Sequence, residues 1–206
     1  MKAKHLAMQL SSLKPHPQFQ VQLEQYQTEG ALVSRWLTEI AHRVQISSLR
    51  VADLGCGNGV LGIGMLLLGA EHVHFVETDQ KAIDVLQDNL KDVPMELYTI
   101  HNIHIDDSFI IPDDTSFAIS NPPWGVQTSK ADRPFLTSMF ASDCEHVSLL
   151  HASSATHIDT MAQRYQWQSI KLFNDHFRLP AQYQHHTQRQ SSTPISCWIF
   201  SKIREA

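Results

Sequence analysis

The chain has 206 residues, a formal net charge of −5 at pH 7 and an apolar fraction of 42%. This length and composition predict one folded domain with a sizeable core and exclude an intrinsically disordered chain. The three cysteines are widely spaced without the pattern of a metal site, and no apolar run is long enough to cross a bilayer. We therefore expect a cytoplasmic protein with no signal peptide and no membrane segment. Its acidic charge argues against binding nucleic acid by bulk electrostatics.

The amino-terminal segment, residues 1–20, is polar, and its "KPHPQ" argues against regular structure. A single domain is expected to follow over residues 21–206. Its first helix should extend from about Thr28 to Val44, with Thr28 as its cap. One apolar stripe of that helix comprises Leu32, Trp36, Ile40 and Val44.

Strands and helices alternate through the rest of the chain. Strands are predicted at 50–54, 72–77, 95–100, 115–120, 146–151, 169–173 and 194–203. Helices are predicted at 60–69, at 80–93 with Asp79 as the cap, and near 155–166. This alternation predicts an α/β fold: a doubly wound, mostly parallel, seven-stranded, Rossmann-like sheet with helices on both faces.

The segment "VADLGCGNGV" joins the first strand to the next helix and contains three alternate glycines, Gly55, Gly57 and Gly59. Residues without a Cβ allow a tight turn and a close approach of the backbone to a ligand. Val60 stands where a dinucleotide fingerprint would have its last glycine. With Asp53 before the loop and Glu77 ending the next strand, the pattern predicts an S-adenosylmethionine site in which Glu77 binds the ribose hydroxyls. A tight turn with a capping acid is the structural alternative.

The segment "SNPPWG", residues 120–125, follows a predicted buried strand. Because proline cannot continue a sheet ladder, Pro122 and Pro123 predict a stiff elbow at the carboxyl end of that strand, beside the glycine loop. There the Asn121 side-chain oxygen and the Pro122 carbonyl can accept the two hydrogens of an amine, while Trp124 stacks on a base. The alternative is a proline-terminated strand with a surface tryptophan.

"NPPW" after a G-x-G-x-G domain is similar to the [ND]-PP-[YFW] signature of class I amino methyltransferases. Four stretches resemble the small ribosomal-RNA adenine-N6 methyltransferases of the methyltransferase-like protein 5 type: "LEQYQT", "VADLGCGNGVLGIGMLLLGA", "SLLHASSATH" and "LPAQYQHH". The resemblance extends roughly over residues 21–200 and implies a class I methyltransferase that uses S-adenosylmethionine. It implies cofactor contacts by Gln25, Thr28, Gly55, Asn58, Val60 and Glu77, and by Asn102 and Ile103 at the adenine ring, where the family has an Asp-Val pair.

The same resemblance implies a ribosomal RNA substrate and a small zinc-ribbon activator protein that adds a strand to the sheet edge. Two departures concern the RNA: "HHTQRQ" keeps only Arg189 where the family is lysine-rich, and Trp124 replaces a phenylalanine. Three function classes therefore remain: an adenine-N6 methyltransferase acting on structured RNA, a protein methyltransferase acting on a glutamine or lysine side chain, and a non-catalytic scaffold. No metal site is expected, since the adjacent His185 and His186 are typical of a solvent-facing pair.

Overall fold

The computed structural model describes residues 1–16, 28–125, 130–178 and 192–203. Seven strands form one sheet in the order β3-β2-β1-β4-β5-β7-β6. The strands are β1 (Arg50–Leu54), β2 (His72–Glu77), β3 (Tyr98–Asn102), β4 (Phe117–Ser120), β5 (His146–Ala152), β6 (Trp167–Arg178) and β7 (Ser192–Lys202). The first five strands pair in parallel, whereas β7 is antiparallel to both β5 and β6. The predicted doubly wound, mostly parallel sheet is confirmed.

Helices cover both faces of this sheet. They are α1 (Ala3–Ser11), α2 (Gly30–Ala41), α3 (Val60–Leu67), α4 (Gln80–Asn89), α5 (Arg133–Ala141) and α6 (His157–Arg164). Two hydrophobic clusters result, one against α1, α2 and α3 and the other against α5 and α6. Alternate strand residues separate the clusters, since Val51 lies in the first and Ala52 in the second. In the described ranges no helix is long and apolar enough to span a bilayer.

The amino-terminal segment differs from the prediction. Residues 1–20 were expected to lack regular structure, yet Ala3–Ser11 forms helix α1, so the expectation is wrong there. Leu6 and Leu10, one helical turn apart, are each only 1% exposed and join the first hydrophobic cluster. The Ser34 hydroxyl of α2 donates to the Ala3 carbonyl over 2.7 Å. A short helix with two apolar residues is stabilised by packing, which its sequence alone does not reveal.

The start of α2 also differs from the prediction. The helix begins at Gly30, with Glu29 as its N-cap and no side-chain capping bond, so the predicted Thr28 cap is wrong. A Cβ on Gly30 would lie 2.7 Å from the backbone nitrogen of Ser11, which explains why the contact between α1 and α2 requires a glycine here. The predicted apolar stripe is confirmed within the helix, where Trp36 and Ile40 are fully buried and Leu32 is partly buried. The helix ends at Ala41, so Val44 lies beyond it and the predicted end is wrong.

Candidate active site

The glycine loop and the proline elbow leave the sheet side by side. Strand β1 lies between β2 and β4, with Asp53 in register with Phe75 on one side and Ile119 on the other. The Ser120 hydroxyl, at the end of β4, donates to the Leu54 carbonyl over 2.8 Å. Ligands of open α/β sheets bind at the carboxyl ends of such neighbouring strands.

All three glycines of the loop have left-handed backbones, with φ of 67° at Gly55, 54° at Gly57 and 85° at Gly59. A Cβ on Gly59 would lie 2.3 Å from Leu86, whereas one on Gly57 would meet no described atom within 4 Å. The amides of Gly55 and Cys56 both donate to the Val76 carbonyl, which fixes the loop to β2. The predicted tight turn is therefore present, and its Gly57 face has the open space that a bound cofactor requires.

The Glu77 carboxylate is buried at the end of β2 and binds backbone amides on both sides. Its Oε2 accepts from the Gly57 amide over 2.9 Å. Its Oε1 accepts from the amides of Thr78 and Asp79 over 2.8 and 3.0 Å. A carboxylate oxygen has two lone pairs, so Oε2 retains one acceptor position beside the glycine loop. This geometry fits the predicted ribose contact and adds a second role, because Glu77 also fixes the loop.

Asp53 is fully buried at the end of β1. Its Oδ2 accepts from the Gly62 amide in the first turn of α3, and its Oδ1 has no partner among the described residues. Burial, and to a smaller extent the charge of Glu77, raise the pKa of Asp53 to about 7, against the lowering effect of the Gly62 bond. Asp53 therefore caps the start of α3 by accepting from its Gly62 amide, and its cofactor contact stays a prediction.

Residues Lys14–His16 cover one side of the glycine loop. The Asn58 side chain donates to the Lys14 carbonyl over 3.0 Å, and Asn89 forms hydrogen bonds to both the amide and the carbonyl of Lys14. The His16 Nε2 lies 3.2 Å from Asp79 Oδ2, with both side chains almost fully buried. Asn58, predicted to contact the cofactor, thus has its amide nitrogen occupied by the protein backbone.

The predicted adenine-ring residues lie at the end of β3. The side-chain amide of Asn102 donates to Gln80 Oε1 over 2.9 Å, and the backbone amide of Ile103 donates to the Glu77 carbonyl over 3.0 Å. Ile103 is 46% exposed, so its side chain is available to pack on a flat ring. Val60, by contrast, is buried in the core, so only its backbone can face a ligand.

The elbow holds its asparagine in a fixed orientation. Asn121 Nδ2 donates to the Thr28 hydroxyl over 3.0 Å, and Asn121 Oδ1 accepts from Trp124 Nε1 over 3.1 Å. Thr28 is buried, so it connects the start of α2 to the elbow instead of capping the helix. A carbonyl oxygen has two lone pairs, and one of those on Oδ1 has no partner among the described residues.

Trp124 is half-buried and packs on two aromatic rings. The His151 ring lies 6.0 Å from it at 34°, and the Phe177 ring lies 5.2 Å away in an edge-on arrangement. These contacts exclude the surface tryptophan of the structural alternative, because the indole is part of the packed site. The same contacts restrict which side of the Trp124 ring a nucleobase can reach.

A histidine cluster near Trp124 was not predicted. "SLLHASSATH" contains His151 and His157, and both approach Asp132 in the structure. Burial works to raise the pKa of Asp132, but the two imidazoles more than offset it, and the pKa lies below its ordinary value. Residues far apart in sequence form this group, so only the SLLH stretch itself could have drawn attention to it.

Several predicted features lie outside the described residues. These are Gln25, the segments "LEQYQ" and "LPAQYQHH", and the pair His185 and His186. Cys56, inside the glycine loop, is a buried free thiol, and burial followed by the charges of Asp53 and Glu77 raises its pKa well above the ordinary value. A protonated thiol is a poor nucleophile, which favours a packing role for Cys56.

A doubly wound sheet with a glycine loop after β1 and a carboxylate ending β2 fits an S-adenosylmethionine-dependent methyltransferase. The family model of the methyltransferase small domain matches residues 33–148, which is more than half of the chain. The protein therefore belongs to the methyltransferase small domain family and is an enzyme of that class.

Three similar proteins extend over nearly the whole chain. Uncharacterized protein MJ0284 of Methanocaldococcus jannaschii is 28% identical over 211 residues, 98% of this chain and 95% of its own. The rRNA N(6)-adenosine-methyltransferase METTL5 of Danio rerio is 28% identical over 198 residues, 92% of this chain and 93% of its own. A crystal structure described as a candidate RNA methyltransferase, PH1948 of Pyrococcus horikoshii, has a TM-score of 0.84 at 31% identity, covering 98% of this chain and 97% of that one. The family resemblance noted in the sequence is confirmed.

Proposed function

We propose that this methyltransferase modifies the exocyclic N6 amine of an adenine in structured RNA, with ribosomal RNA as the substrate class. The observation that carries the proposal is the Asn121 carboxamide, held between Thr28 and Trp124 beside the glycine loop. Its remaining lone pair and the Pro122 carbonyl form an acceptor pair suited to the two hydrogens of one amine.

The chemistry of such a site is mainly positioning. S-adenosylmethionine would supply the methyl group, whose bond to sulfur breaks as the bond to nitrogen forms, with S-adenosylhomocysteine as the leaving group. An exocyclic amine is a weak nucleophile, because its lone pair is delocalised into the ring. Asn121 Oδ1 and the Pro122 carbonyl accept its hydrogens and favour a tetrahedral nitrogen as the new N–C bond forms. The proton leaves the nitrogen after transfer, so no general base is required.

The residues proposed to bind the cofactor are assigned from the same carboxyl-terminal edge of the sheet. We propose that Glu77 Oε2 binds a ribose hydroxyl beside the Gly57 amide, and that Ile103 packs on the adenine ring. Gln25, Thr28, Gly55, Asn58, Val60 and Asn102 complete the proposed cofactor set, and Asp53 supports the loop. We also propose that residues 21–206 form a single domain, against which helix α1 packs, and that the protein is cytoplasmic.

The choice of RNA is supported by the relatives, since the Danio rerio protein is named an rRNA N(6)-adenosine-methyltransferase and the Pyrococcus horikoshii structure is described as that of an RNA methyltransferase. The net charge of −5 is unfavourable for electrostatic binding of a phosphate backbone. We therefore propose that another component supplies the positively charged surface that binds RNA. This component is a partner, such as a small zinc-ribbon protein added at the β3 edge, or the ribosomal particle. Strand β3 ends the sheet order in the described part of the chain.

The isolated protein should consequently bind naked RNA weakly, with a shallow dependence on salt. Fluorescence anisotropy with a labelled rRNA fragment at several salt concentrations measures both quantities. Tight binding by the protein alone that collapses steeply with salt would contradict the partner proposal.

The substrate is tested by incubating the protein with methyl-labelled S-adenosylmethionine and either total RNA or ribosomal proteins. We expect label in RNA, and N6-methyladenosine after digestion to nucleosides and mass spectrometry. The Asn121→Ala variant is the matched control for contaminating activity. Label confined to protein, on glutamine or lysine, would replace this proposal with the protein methyltransferase alternative.

A further inference from the structure

Three side chains that could bind a metal converge beside the elbow from three different elements. Asp132 immediately precedes α5, His151 lies near the end of β5, and His157 begins α6. One ligand atom of each lies within 4.8 Å of the others. His157 Nε2 is 2.5 Å and His151 Nε2 is 3.3 Å from the same atom, Asp132 Oδ2.

Their burial distinguishes this group from a surface ion pair. The side chains of Asp132 and His151 are 5% and 2% exposed, while that of His157 is 47% exposed. Neither ring nitrogen of His151 has a well-aligned hydrogen bond among the described residues. His151 Nε2 thus has only the 3.3 Å contact to Asp132 and Nδ1 has no partner among the described residues, and a buried ring nitrogen in that state is satisfied by a ligand such as an ion or an ordered water.

We propose that Asp132, His151 and His157 bind one divalent transition-metal ion, with Zn²⁺ as the best match. Two imidazole nitrogens and one carboxylate oxygen are ordinary zinc ligands, at bond lengths of about 2.0–2.2 Å. Tetrahedral ligands at that radius lie about 3.4 Å apart, close to the 3.3 Å between His151 and Asp132. His157 Nε2 lies closer than this to Asp132, and its exposed ring has room to move away by the difference. The fourth ligand position faces solvent and is open to water.

A metal here would connect α5, β5 and α6 behind the elbow. It would also fix the His151 ring, which packs against Trp124 at 6.0 Å. Among the described residues no other group of three His, Cys, Asp or Glu side chains converges in this way. The sequence predicted no metal, because it placed the only candidate at His185 and His186, a different part of the chain.

The full chain is tested after metal removal with a chelator and exhaustive dialysis. Calorimetric titration with zinc chloride should show one tight site per chain. Cobalt(II) chloride should produce the visible absorption of a low-symmetry, four-coordinate ion. The variant His157→Ala should lose at least about tenfold in zinc affinity, since even groups that only orient a ligand contribute 10–100-fold.

His157 is half-exposed, so its replacement is expected to leave the protein folded, which circular dichroism verifies. His42→Ala, an exposed histidine at the carboxyl end of α2, is the matched control and should keep wild-type zinc affinity. Asp132→Asn provides a second test, because it preserves side-chain shape while removing the anionic ligand. The proposal is overturned if the wild type has no tight site, or if folded His157→Ala and Asp132→Asn bind zinc like the wild type. Because metal binding is measured without RNA or methyl transfer, this outcome is independent of the proposed function.

Discussion

The cofactor half and the elbow half of the candidate active site are built in different ways. At the ends of β1 and β2, most polar partners are backbone amides: Glu77 accepts from three of them and Asp53 from one. At the ends of β4 and β5, side chains bind side chains, as in the Thr28–Asn121–Trp124 chain.

The difference teaches how each half can be altered. Backbone amides bind a carboxylate as long as the loop keeps its conformation. The cofactor half therefore depends on residues near one another in sequence and should tolerate substitution of nearby side chains. The elbow half depends on residues more than ninety positions apart, and loss of one partner displaces the others. Substitutions in the two halves should therefore separate cofactor binding from methyl transfer.

The largest effect is expected for Asn121→Ala. Removal of the acceptor should lower turnover by about 10²–10³, by analogy with the loss of an oxyanion-hole donor. Cofactor affinity should change much less, because Asn121 reaches the proposed cofactor set only through Thr28 and has no hydrogen bond to the glycine loop among the described residues. Single-turnover kinetics and calorimetry measure the two quantities, with Asn121→Asp as a partial rescue that keeps an acceptor oxygen. Wild-type turnover in a folded Asn121→Ala protein would return the elbow to a merely structural role.

Glu77→Ala should produce the opposite pattern. Loss of the charged acceptor should weaken S-adenosylmethionine binding by about 1.5–3 kcal/mol, the scale of hydrogen bonds to charged groups. The melting temperature should also fall, because three backbone amides lose their acceptor. Calorimetry against Glu39→Ala, a partly exposed acid on α2 that forms an ion pair with Arg43, provides the comparison. Unchanged cofactor affinity in a folded variant would remove Glu77 from the site.

Asp53 makes the cofactor half sensitive to pH. Because its pKa is raised to about 7 by burial, the folded state binds a proton that the unfolded state has released above its ordinary pKa near 4. The free energy of unfolding therefore falls as pH rises, by about 2 kcal/mol between about pH 5 and pH 7.5. Asp53→Asn should flatten that part of the profile, measured by denaturant titration of the cofactor-free protein. An identical pH slope in the variant would show that Asp53 is not the titrating group.

The smallest effect is expected for Trp124→Phe. The flat ring needed for stacking remains, but the indole N–H that donates to Asn121 Oδ1 is lost. One such bond contributes about 0.5–1.5 kcal/mol, so turnover should fall by about tenfold or less, while Trp124→Ala should lose far more. Steady-state kinetics of the two variants distinguish the contributions. Equal losses in both would mean that the ring surface has no part in catalysis.

The fold and the cofactor half could be predicted because their signals are local. The alternating apolar runs, the glycines of the loop and the two acids at the strand ends all lie between Arg50 and Glu77, and β1, α3 and β2 form where expected. Helix α5 and most of β6 were missed. The apolar residues of α5 lie near Pro134 and small polar residues, which weakens their helical pattern.

The sequence by itself determined the doubly wound sheet, the cofactor class and the elbow, because strand periodicity and residues of restricted φ act within a few positions. Only the tertiary structure decided that Leu6 and Leu10 join the core, that Thr28 binds Asn121 instead of capping α2, and that Asp132 meets two histidines. Each of these depends on which elements become neighbours in the sheet. That choice follows from the burial of the whole chain and is not encoded in any local pattern.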